Sequence, residues 1–343
     1  MIESLPGTDL ELTRFAPDSE DFFFVQNHSR MAIGIAEASQ RGRFIVLKAG
    51  TDAASRRELA LESTRLEALG HVLQGSSWLQ YLPRRVLSRG DGTLPFVVDE
   101  SASRLTALDL IARDGPRQDL VNSALNVINE LKKLTATVKL ADGSFVDDTI
   151  LRRVGFLRDH WGELFRWRGD NSHLDRLKVG MTTSLLGRRV EVGWQHGDFS
   201  PGNILVQSDP PYIVGVIDWG GSGPNEFVGV DSSLLALSAH SLFTSTDLNS
   251  VVERIVTVLA GLDQSSEDED LLIERLNGAW PSTQDLSLMQ GVILTWVYYV
   301  VHRFKIRSPN VLAPGHWVQH DASRALRAIV DFGLPTLIEA QSK

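Results

Sequence analysis

One strand-like segment, Val190 to Asp218, interrupts a stretch of sequence that otherwise reads as helix, and this interruption limits what the chain can fold into. Within it, Ile204 to Val206 and Ile213 to Ile217 are short β-branched runs bracketing the turn residues Asp209, Pro210 and Pro211, the pattern of a hairpin. On either side, Leu120 to Leu134, Leu151 to Arg166, Val251 to Leu259, Leu271 to Leu276, Leu288 to Phe304 and Ala322 to Ile329 have the spacing of amphipathic helices. The amino-terminal part differs. Phe22 to Val25, Met31 to Ala36, Phe44 to Leu47 and Leu94 to Val98 predict short strands, and Ser55 to Leu69 predicts a helix that Gly70 stops. The expectation is a two-lobed α+β enzyme, with a small sheet and one helix in residues 1–100 and a larger, mainly helical lobe in residues 101–343. Ligands usually sit in a cleft between such lobes.

Composition excludes several chemistries. The 343 residues are 43% apolar and 22% charged, enough to fill a sizeable core. No cysteine is present, so disulfides, thiolate metal sites and a cysteine nucleophile are ruled out. A net charge of −9 repels nucleic-acid phosphates, and no nucleic-acid partner is expected. Met1 to Asp9 lacks the basic start and apolar run of a secretory signal, and the apolar run Val292 to Val301 is too short to span a bilayer. A cytoplasmic protein with no membrane partner is the expectation.

Chemistry concentrates in His196-Gly197-Asp198-Phe199-Ser200-Pro201-Gly202-Asn203, whose polar groups are spaced H-x-D-x-x-x-x-N, as in a kinase catalytic loop. An aspartate on a tight loop can accept the proton of an attacking hydroxyl, and an asparagine oxygen at the loop's far end can ligate magnesium. Pro201 and Gly202 let the chain turn between them. After the hairpin comes Ile217-Asp218-Trp219-Gly220, its aspartate 20 positions beyond Asp198. An apolar strand ending in Asp-aromatic-Gly is where kinases hold magnesium against a triphosphate.

These segments resemble the aminoglycoside phosphotransferase and choline kinase family, a branch of the protein-kinase-like fold. The resemblance implies a bilobal kinase-like architecture and phosphoryl transfer from ATP or GTP, with Mg2+, to a small-molecule hydroxyl: an aminoglycoside or other antibiotic, a sugar or an amino alcohol. It makes Asp198 the catalytic residue and Asn203 and Asp218 the metal ligands. It assigns Lys48, at the end of Phe-Ile-Val-Leu-Lys, to the phosphates, with Glu62 as its carboxylate partner and Glu58, one helical turn earlier, as the rival. The base of the nucleotide is expected near Val98 to Ala102, with Asp99 and Ser101 as contacts. His196 shapes the catalytic loop, and Asp231 braces it or caps a helix. A monomer or homodimer is expected.

The chain departs from the family pattern in its first hairpin, where Gln26-Asn27-His28-Ser29-Arg30 offers no glycine to the phosphates. Either Ser29 and Arg30 contact phosphate or this loop does not close over the nucleotide. The same feature supports the alternative of a pseudokinase acting as a partner module, against which stands the complete set Lys48, Asp198, Asn203 and Asp218. Ser200, where protein kinases place lysine, and the lack of A-P-E after Asp218 disfavour a protein kinase. A second Asp-Phe-Gly, at 331 to 333, is a decoy in which Gly333 ends a helix. The acidic run Glu267 to Asp270 reads as a solvated loop, with recognition of a polyamine as the lesser alternative, and Trp296, Tyr299 and His302 as core or the lining of an acceptor pocket.

Overall fold

The computed structural model describes residues 22–26, 31–37, 44–89, 96–165, 170–280, 285–306 and 322–341. In chain order the elements are β1 (Phe22–Gln26), β2 (Met31–Glu37), β3 (Phe44–Gly50), α1 (Ala53–Val72), β4 (Arg84–Arg89), β5 (Phe96–Ser101), α2 (Ala107–Asp114), α3 (Gln118–Thr135), β6 (Thr137–Leu140), α4 (Gly143–Val146), α5 (Arg152–Phe165) and α6 (Asp170–Leu185). They continue as β7 (Arg189–Gln195), β8 (Ile204–Ser208), β9 (Pro211–Val216), β10 (Gly223–Phe227), α7 (Gly229–Thr244), α8 (Leu248–Leu259), α9 (Glu267–Ala279), α10 (Leu288–Ile306), α11 (Ser323–Ala328) and α12 (Leu334–Gln341). The architecture is α+β. Two compact units form, one from Met1–Val127, Pro201–Ser222 and Ile306–Asn310, the other from Ile128–Ser200, Gly223–Lys305 and Val311–Lys343. Among the described residues no helix is long and apolar enough to cross a membrane.

The first unit is built on an antiparallel sheet of order β1-β2-β3-β5-β4. Asp52 starts α1 by accepting the backbone N–H groups of Ala54 and Ser55, and Ser55 answers with its hydroxyl in a capping box. Leu59 packs α1 onto Val97 and Ile33 of the sheet. The helix does not stop at Gly70 but runs to Val72, because Leu69 and Leu73 are both buried. Burying two leucines outweighs the cost of one helical glycine, about 1 kcal/mol.

Strand β5 also runs further than expected, beyond Val98 through Asp99, Glu100 and Ser101. Its charges are tolerated because β4 supplies partners: Arg84 lies 3.0 Å from Glu100, and Arg85 2.7 Å from Asp99. The β8–β9 hairpin belongs to this unit although it lies far beyond residue 100, the boundary expected from the sequence. It is fastened by a bridge between Thr106 and Leu205 and by the Ser103 hydroxyl, which donates to the Val206 carbonyl at 2.7 Å.

The second unit carries a sheet of order β10-β7-β6 and a large helical core. Trp280 is wedged between Gly229 of α7 and Gly291 of α10; a Cβ at either glycine would come within 2.6 Å or 2.4 Å of the indole. The indole N–H donates to Ser233 Oγ at 2.7 Å, so the ring fixes α7 and α10 together. Residues 329–333 form a wide turn that leads on into α12, so Gly333 does not end the helical run. A Cβ at Gly333 would come within 3.5 Å of the Met289, Ile293 and Val256 side chains, so the position suits a residue without one. Asp331 pairs on the surface with Arg176 at 3.1 Å and carries no site.

Candidate active site

In the first unit a cavity of about 510 Å³ is lined by apolar residues such as Ile33, Val46 and Leu205 and by the polar side chains of Lys48, Glu62, Asn203 and Asp218. Its size and mixed lining suit a small-molecule ligand. Lys48 reaches it from β3 and pairs with Glu62 of α1 at 2.7 Å, both side chains nearly buried. Burial works against the Lys48 charge, but Glu62, with Asp218 and Asp99 adding to it, more than compensates and raises the ammonium pKa. The result is a permanently charged donor inside a cavity.

Glu58, the rival partner, also lines this cavity. A Cβ on Gly220 would come 3.7 Å from Glu58 Oε1 and 3.8 Å from Asp218 Oδ1, so both side chains pass beside that glycine, while the ion pair with Lys48 is made by Glu62.

Asn203 and Asp218 are brought side by side by the hairpin. The Asn203 carbonyl accepts the Ile217 N–H at 3.0 Å, closing the open end of β8 and β9 next to Asp218. Asp218 has φ 66° and ψ 59°, the left-handed conformation. Among side-chain-bearing residues, aspartate and asparagine tolerate it best. Trp219 holds this turn: it is fully buried, its indole N–H donates to the Val216 carbonyl at 2.9 Å, and it meets Trp78 edge-on with centroids 5.7 Å apart. Arg65 donates to the Gly220 carbonyl beyond it.

Among the described residues no group of three or more His, Asp or Glu side chains could hold a metal unaided. Two oxygen ligands are what a magnesium ion takes from protein when phosphates and water complete its shell. The pair Asn203 and Asp218 therefore fits a metal–nucleotide complex better than a free ion.

The remaining residues expected at the nucleotide divide. Asp99 and Ser101 line the cavity, but their side chains are engaged. Arg85 grips both oxygens of Asp99, at 2.7 and 3.2 Å, and the Ser101 hydroxyl donates to the Ser103 carbonyl at 2.6 Å. Any contact to a nucleotide there falls to the backbone. Ser29 and Arg30 lie outside the described residues.

In the second unit, Asp231 organises the loop that follows β7. Its carboxylate accepts the N–H groups of His196 at 2.6 Å and Gly197 at 3.0 Å. It stands in the first turn of α7, whose cap position is Val228, so the bracing contact replaces the capping one. His196 is fully buried, lies edge-on to Phe199, and accepts the Asp198 N–H on Nδ1 at 3.2 Å. Asp198 is thus held through its backbone on a loop braced from below.

Burial pushes the Asp231 carboxyl up to about 7, with the charges of Asp198 and Glu226 adding, while the two N–H donors hold it down. Between about pH 4 and pH 7 an unfolded chain has lost a proton that the folded chain keeps, so this group makes stability fall as pH rises through that window. Denaturation midpoints measured across it are expected to show a fall in the wild type that Asp231→Asn reduces. An unchanged slope in the variant would contradict the assignment.

The Asp198 carboxylate has a partner that sequence reasoning weighed only as core or pocket lining. His302 of α10 lies 3.3 Å from Asp198 Oδ2. Burial alone would raise the Asp198 pKa, but the hydrogen bond and charge of His302, with His196 and Arg303 contributing, turn the shift downward. Asp198 is consequently ionised, the state a proton acceptor needs.

Residues 65–228, just under half of the chain, match the model of the phosphotransferase enzyme family, APH. A crystal structure of an aminoglycoside-3'-phosphotransferase of type VIII superposes with a TM-score of 0.50 at 17% identity, covering 82% of this chain and 96% of that one. A putative fructosamine-3-kinase from Haemophilus somnus 129PT does so with a TM-score of 0.50 at 10% identity, covering 90% of each chain. No curated protein matches the sequence. At such identities the structures speak for the kinase-like fold, and the family match speaks for the chemistry. The chain thus has the kinase-like fold, and over residues 65–228 it is similar to the APH phosphotransferase enzymes.

Proposed function

We propose that the protein transfers the γ-phosphoryl group of ATP or GTP to a hydroxyl of a small molecule, with Mg2+. The observation that carries this reading is the single cavity shared by Lys48, Glu62, Asn203 and Asp218. Lys48, held by Glu62, grips the phosphates, and the backbone near residues 98–102 receives the base. Asn203 and Asp218 would hold the metal, which neutralises phosphate charge. The acceptor oxygen forms a bond to the γ-phosphorus as the bond to the bridging oxygen breaks, and the hydroxyl proton passes to Asp198. Such transfer asks for positioning and charge neutralisation more than covalent chemistry.

The similar structures are named for an aminoglycoside and for a fructosamine, which supports hydroxyls of sugars or amino sugars as the acceptor class. Binding is tested first, by thermal unfolding with nucleotide in the presence and absence of Mg2+. Nucleotide at about 100 times its Kd should stabilise the protein by roughly 2.7 kcal/mol, and more weakly without the metal. No shift with either ATP or GTP would refute the reading. Phosphate transfer across a panel of antibiotics, sugars and amino alcohols then names the acceptor.

A further inference from the structure

We propose that His302 is a positioning residue for the Asp198 carboxylate: it holds one oxygen so that the other faces the acceptor hydroxyl. The proposal rests on the reading of Asp198 as the proton acceptor. An ionised carboxylate only accepts hydrogen bonds, so the 3.3 Å contact requires the proton to sit on His302 Nε2, donating to Asp198 Oδ2. The backbone of Asp198 is fixed separately, by its N–H on His196 Nδ1. His302 therefore acts on the direction of the side chain, through Oδ2.

A rigid element delivers the imidazole. Val292, Ile293, Trp296, Val297 and Val300 of α10 are fully buried. Trp296 donates to Asn249 Oδ1 at 3.0 Å, and the Tyr298 hydroxyl donates to Glu226, which Arg153 also holds at 2.8 Å. The side chains of Asp198 and His302 are 20% and 19% exposed, open enough to meet a substrate and closed enough to stay ordered. A pair so placed adds little to stability. Its value lies in geometry, since a base must be aimed before it can work.

The charged and titratable groups around the carboxylate are His302, His196 and Arg303, while Tyr299 and Asp231 respond to its charge.

The test uses the full chain with MgATP and the best acceptor of the panel, or water as acceptor in its absence. His302→Ala is expected to lower kcat by about 10- to 100-fold, the worth of a hydrogen bond to a charged group, with the KM for ATP unchanged. His302→Gln, which keeps a hydrogen-bond donor, should restore most of the rate. In carboxyl-13C spectra, the Asp198 signal, assigned by its loss in Asp198→Asn, should titrate higher in both His302 variants. Wild-type kcat in His302→Ala, a loss that glutamine does not rescue, or an unmoved Asp198 titration would overturn the proposal. Wild-type turnover in Asp198→Asn would instead overturn the reading on which it rests.

Discussion

Asp198→Asn is expected to lower kcat by about 10²- to 10⁴-fold, the usual contribution of a positioned general base. The substitution is close to isosteric and leaves the backbone untouched, so the N–H bond to His196 Nδ1 and the bracing by Asp231 persist. An amide oxygen can still accept from His302. What disappears is the capacity to take a proton at neutral pH. Steady-state kinetics with matched thermal unfolding would therefore show a large loss of rate, little change in the KM for nucleotide, and a midpoint close to wild type. Turnover near the wild-type value would remove Asp198 from the mechanism.

The second large effect is expected at Asp218, and its backbone decides which variant is informative. The residue is held at φ 66°, where alanine pays roughly 1–2 kcal/mol and asparagine much less. Asp218→Ala would mix strain with lost chemistry. Asp218→Asn removes the charge and keeps the turn, with Trp219 still anchored on Val216 and Trp78. We expect kcat to fall by about 10²- to 10³-fold, as for loss of one preorganised electrostatic group, with a raised Mg2+ requirement. Titrating Mg2+ at saturating nucleotide checks this. An unaltered metal dependence would place the cation elsewhere.

Much of this was legible in the sequence for a physical reason. Asn203 and Asp218 stand at the two ends of one hairpin, where spacing along the chain mirrors spacing in the molecule, so their meeting could be read from the motifs. The same holds for Lys48 and Glu62, since a strand end and a helix face define a narrow choice. Other parts were hidden. Helix α7 is buried almost all round and shows no polar stripe to betray its period. The extension of β5 depends on arginines of β4, and a cross-strand neighbour leaves no local mark. His302 was visible as a member of an aromatic run, but its place against a loop some hundred residues earlier is a product of tertiary packing.

The wedge at Trp280 ties these observations together. The glycine in contact with one face of the indole lies two residues before the carboxylate that braces the loop, and the other lies on the helix that aims His302. Both supports of Asp198 thus hang from one ring. A side chain added at 229 or 291, or a smaller residue at 280, would disturb loop and imidazole in the same motion. Faults in this packing should surface as a loss of stability and of phosphate transfer together, a coupling between core and chemistry.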